Sequence, residues 1–140
     1  MTRQRVYKQI TTILDANSLT WTETATGGVF LRFSSAGVAI ELANWGEQTL
    51  IRISSNALSD VDGPTKLVLK QVNRLNMETQ FGRWVYYKDA RTITIEYDLL
   101  GDHLQENELM TSLAAVARAA DHQDDQLQSV LGGRRAFEEQ

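Results

Sequence analysis

The chain has 140 residues, 42% of them hydrophobic and 23% charged, with a formal net charge of −4. That is the length of one domain able to bury a core without staples, and its acidic balance argues against a nucleic-acid surface, which wants a basic face. The absence of cysteine excludes disulfides, thiolate metal sites and thiol nucleophiles, and no apolar run approaches the roughly 20 residues that span a bilayer. Arg3-Gln4-Arg5 is not followed by the apolar segment of a secretory signal, so a cytoplasmic protein is expected.

Thr2 to Asn17 reads as a helix, because Val6, Ile10, Ile13 and Leu14 fall on one stripe of a 3.6-residue period. Thr2 is its N-cap candidate and Asn17-Ser18 its stop. Leu19 to Thr24 allows an extended segment, and Gly27-Gly28 marks a turn. Period two then takes over in Val29 to Phe33, Val38 to Ala43 and Leu50 to Ile53, separated by short polar turns. This is the pattern of a three-stranded antiparallel meander. Its alternation assigns Val29, Leu31, Phe33, Ile51 and Ile53 to a helix-covered side and leaves Phe30 and Leu50 outside.

A polar loop with Asp60 and Asp62 leads to a helix over Pro64 to Met77, with Val68, Val72 and Leu75 at helical spacing. Pro64 suits the first helical position, which needs no amide hydrogen. Phe81-Gly82 breaks the helix. Trp84 to Tyr87 and Arg91 to Tyr97 read as a hairpin around Lys88-Asp89-Ala90. The last helix, Gln105 to Leu131, carries the stripe Leu109, Leu113, Val116, Ala120, Leu127 and Val130 and ends at Gly132-Gly133. At 1.5 Å per residue it is about 40 Å long, and it turns polar beyond Ala120. That end is expected to fray or to pack on another chain. Residues 1–133 then form one domain and residues 134–140 a tail. The order α-β-β-β-α-β-β-α gives an α+β fold, a five-stranded, mostly antiparallel sheet with three helices packed on it.

Val72-Asn73-Arg74-Leu75-Asn76, then Phe81-Gly82 and an aromatic strand, together with this order of elements, resemble a YbjN-like domain of the type III secretion chaperone-like fold. The residues that match are Asn73 and Asn76 of an Asn-x-x-Asn helix ending, and Phe81 and Gly82 before the fourth strand. The long polar end of the last helix departs from the family pattern. The resemblance implies a non-catalytic protein: a small acidic cytoplasmic homodimer that holds an extended segment of a protein or peptide client. It brings no catalytic residues and no cofactor, and points to neither nucleic acid nor membrane as partner. The alternative from a different class is a regulatory or structural protein that associates only with itself.

The candidate binding residues are Phe30, Leu50, Trp84, Tyr86, Asn73 and Asn76. Phe30 and Leu50 are apolar groups on the sheet's outer side, and with Trp84 they are the expected anchors. Trp84, Tyr86, Tyr87 and Tyr97 crowd one hairpin. Bases stack on such platforms, but the scarcity of basic residues favours core packing for one face. Asn73 and Asn76 share a helix face. They either meet a client or, with a readier physical reason, Asn76 caps the helix and Asn73 bonds the loop towards Phe81. Asp121, His122, Asp124 and Asp125 stand on near-consecutive helix positions and point apart, as in a solvated face rather than a metal site. Asp60 and Asp62 have no base or nucleophile at a telling distance. Gly27-Gly28 lacks the lysine and hydroxyl of a phosphate loop, and no G-x-S-x-G elbow is present.

Overall fold

The computed structural model describes residues 2–136. Its elements run α1 (Arg3–Ala16), β1 (Trp21–Glu23), β2 (Val29–Phe33), β3 (Ala36–Trp45), β4 (Gln48–Leu58), α2 (Thr65–Glu78), β5 (Arg83–Tyr87), β6 (Thr92–Leu100) and α3 (Glu106–Leu131). The fold is α+β with the expected order of elements and one strand more than expected. The sheet has six strands in the order β1-β2-β3-β4-β6-β5, and every neighbouring pair is antiparallel. The extra strand is β1, too short at three residues for a period to show. Trp21 anchors it: its indole N–H donates to Asp15 Oδ1 at 2.8 Å, and its ring meets Tyr7 edge to face at 6.2 Å.

Alternation along the strands puts one set of side chains under the helices. Val29, Leu31, Val38, Ile40, Ile51, Ile53, Ile93 and Ile95 are buried there against Val6, Ile10 and Leu14 of α1, Val68 and Leu75 of α2, and Leu109, Leu113 and Val116 of α3. Burying each such side chain contributes about 1.5–3 kcal/mol. The helix starts follow local chemistry. Thr2 caps α1 by accepting the Arg5 N–H, and Gln105 and Glu108 form a capping box on α3. Pro64 stands one place before α2, as its N-cap.

The polar end of α3 does not fray: it packs on its own chain. Leu127 and Leu131 are buried within the same core, the Asp62 N–H bonds the Leu131 carbonyl at 3.0 Å, and the Ser35 hydroxyl donates to Asp121. Leu131 takes the interior place assigned to Val130, which is exposed. The helix ends at Gly132, where φ is +68°. Arg134 then forms a two-bond bridge with Ser59 at the end of β4. Arg135 pairs with Asp125, and residues 137–140 of the expected tail lie outside the described residues.

Candidate binding surface

The helices cover one face of the sheet and leave the other open. Three of the rows that register lines up across the open face carry its main groups. The first runs Phe30, Ala39, Ser54, Glu96, Arg83; the second Glu41, Arg52, Asp98; the third Ala43, Leu50, Leu100. The outer rows supply apolar groups. Phe30 is 41% exposed and Leu100 48%, and Leu50 is half-buried beside Leu100. Beside Phe30 lies a hollow of about 290 Å³ floored by Gly37, Ala39 and Ser54. From Ser54 to Leu50 is four residues of β4, or roughly 13 Å at about 3.3 Å per residue.

A paired charge cluster fills the second row and the Glu96–Arg83 end of the first. Arg52 grips Asp98 with two hydrogen bonds, at 2.8 and 3.1 Å. Arg83 bonds Asp98 at 2.9 Å and Glu96 at 3.0 Å. Glu96 also accepts from Thr94 and from the Tyr87 hydroxyl. It is 4% exposed although no helix covers it, because Arg52, Arg83 and Tyr87 lie over it. The Arg52 hydrogen bond, helped by Arg83, holds the Asp98 carboxyl below the usual carboxylate range against the opposing effect of burial. The hydrogen bond to Glu96, then burial, pushes the Tyr87 hydroxyl up. Every charge in the cluster has a partner within it.

The sheet's two edges differ. At β1 the hairpin closes through Thr24 N–H to the Gly28 carbonyl at 3.0 Å. Alternation therefore turns the backbone groups of Trp21 and Glu23 outward. A hollow of about 280 Å³ lined by Arg3, Tyr7, Glu23 and Leu42 lies alongside. At β5 the Asn76 side chain bonds both backbone groups of Trp84: Trp84 N–H donates to Oδ1 at 2.7 Å, and Nδ2 donates to the Trp84 carbonyl at 3.0 Å. The chain enters β5 through Gly82, at φ +101°. A Cβ there would lie 2.9 Å from the Glu96 carbonyl, so the Phe81-Gly82 break requires glycine.

The sequence candidates scatter across these features. Phe30 and Leu50 share the open face. Trp84 does not: it is 3% exposed, with its indole N–H on Thr79. Its side chain points under α2, so it is a core residue and is corrected as an outer anchor. Tyr86, two residues on, is half-buried against the same core. Asn73 lies on the exposed side of α2, its amide 3.7 Å from Met77 Sδ. Asn76 does not cap α2, because Thr79 bonds the Leu75 carbonyl with both its N–H and its hydroxyl. Tyr87, named among the hairpin aromatics, is exposed on the open face, whereas Trp45 and Leu100, exposed and apolar, were missed on the sequence. Extending the alternation of β3 by two residues from Ala43 would have placed Trp45 on the open face. Among the described residues no group of three or more His, Asp or Glu is placed to hold a metal ion, and no helix is long and apolar enough to cross a membrane.

The described residues form an α+β fold whose sheet has one helix-covered face and one open face. The chain belongs to the family described as T3SS (YopN, CesT) and YbjN peptide-binding chaperone 1, TY-Chap1, whose model matches residues 1–139. Its fold is similar to ExsC–ExsE complex coordinates with a TM-score of 0.64 and 15% identity, covering 86% of this chain and 95% of that one. It is also similar to YbjN from E. coli, at 0.61 and 10% identity over 91% and 96%. A protein from Methanothermobacter thermautotrophicus matches at 0.63 and 14% identity over 91% and 99%. No curated protein matches the sequence.

Proposed function

We propose that this protein is a non-catalytic, chaperone-like module that holds an extended segment of a protein or peptide client along the open sheet face. The observation that carries this reading is the face itself: apolar side chains, Phe30 and Leu100 exposed and Leu50 half-buried, lie beside a charge cluster that is already fully paired. A bound segment can cover the apolar groups without stripping water from an unpaired charge, the costly step in burying polar surface. β1 offers an edge for added main-chain hydrogen bonds. Membership of a peptide-binding chaperone family and the ExsC–ExsE complex support the same reading. The absence of cysteine fits a reducing, cytoplasmic setting.

Self-association has its own support. Leu69, Met77 and Phe81 are more than half exposed, and Leu69 and Met77, two turns apart, share a face of α2. Covering that stripe with a second copy gives a homodimer, the commonest assembly.

The test is an array of 15-residue peptides with alternating apolar residues, probed with the wild type and with a Phe30→Ser, Leu50→Ser variant. The reading expects selective capture by the wild type and at least a tenfold loss in the variant, with cooperative melting retained. Equal capture by both overturns it. Sedimentation of the same wild-type sample should give twice the 15.8 kDa chain mass; the monomer mass at every concentration rejects the dimer.

A further inference from the structure

We infer that the Asn76 side chain holds β5 closed to strand addition. β5 is an edge strand of sequence Arg-Trp-Val-Tyr-Tyr, a composition that favours strand pairing. In an antiparallel pair, alternate residues turn their N–H and C=O away from the partner. The Asn76 bonds show that Trp84 is one such residue and, two along, Tyr86 is the other. Asn76 gives Trp84 one donor and one acceptor, at 3.0 and 2.7 Å, the pair of bonds a neighbouring strand would supply. An arriving strand must first displace this amide. The helix has no need of Asn76 at its end, because Thr79 already satisfies the Leu75 carbonyl. At β1 no side chain among the described residues bonds the outward backbone groups of Trp21 or Glu23. Long, open, hydrophobic edges pair indiscriminately; here one edge is blocked by a side-chain amide and the other is three residues long. The closure is read without reference to any client. Joined to the peptide-binding reading, it directs an added strand to β1.

The experiment compares the wild type with Asn76→Ala and with Asn76→Asp, which keeps the acceptor for Trp84 and loses the donor. Amide exchange and the broadening caused by a spin-labelled Thr-Val-Thr-Val-Thr peptide are read residue by residue by NMR. In Asn76→Ala the Trp84 amide should exchange at least tenfold faster while Thr94 and Glu96, paired to β5, stay slow. Asn76→Asp should fall between and serves in place of Asn76→Ala if that variant does not fold. The peptide should leave Trp84 to Tyr86 sharp in the wild type and broaden them in the variant. Broadening of Trp84 to Tyr86 in the wild type overturns the inference, as does a folded variant with a freed Trp84 amide whose β5 still takes no peptide. Absence of broadening at Trp21 to Glu23 in the wild type counts against the client reading and leaves the closure of β5 standing.

Discussion

Glu96 shows how side chains can bury a charge without a helix over it. It alternates to the open face with Thr94 and Asp98, and the face reads as solvated until Arg52, Arg83 and Tyr87 are laid across it. The contribution of Asp98 to this cluster has a definite pH dependence. Its pKa in the folded chain lies below the unfolded value of about 3.9. The stability it supplies is therefore complete above that unfolded value and is lost as pH falls through the lower folded one. Both arginines are more than a third exposed, which limits the contribution to about 1 kcal/mol. Asp98→Asn should lower the melting temperature by roughly 2–5 °C at pH 7, with the gap closing below about pH 4. A gap that stays constant down to pH 2 would show that the carboxylate's charge is not what matters. Residues such as Phe30 and Leu50 were legible because β2 and β4 alternate cleanly. Trp84 was not, because β5 places Trp84 and Tyr86 on one face and Val85 and Tyr87 on the other, and composition alone does not say which is buried.

Among the elements, those with a clear period were read correctly from the sequence. The α1 stripe, the meander of β2 to β4 and the hairpin of β5 and β6 all follow from spacing and turn residues. β1 was visible as an extended possibility and no more, since its pairing rests on long-range anchors at Asp15 and Tyr7. The far half of α3 misled because local polarity outweighed Leu127, which the stripe already held, and because Val130 was read in the place that Leu131 takes. Leu127 and Leu131 lie one turn apart and pack beside the loop that precedes α2, where Gly63 meets the Leu131 side chain. Leu127→Ala should therefore destabilise the isolated chain by about 2–5 kcal/mol, read from the denaturant midpoint at unchanged slope. A loss below about 0.5 kcal/mol would mean that this end of the helix is loose after all.

At the scale of the whole molecule, the fold divides its sheet into a covered face that supplies stability and an open face that no helix covers. The order of elements and the short Asn-x-x-Asn and Phe-Gly signals made the family legible. The open face itself was only half legible, since it depends on register between strands distant in sequence, such as Leu50 against Leu100. The most direct measurement places a photo-cross-linking phenylalanine analogue at Ser54, in the middle of the open face, and separately at Arg118, exposed on α3. Each protein is irradiated with the tightest-binding peptide of the array. An extended client on the open face predicts an adduct from position 54 that excess unlabelled peptide suppresses, and none from position 118. Adducts from position 118 alone would put the client on the helices and contradict the account.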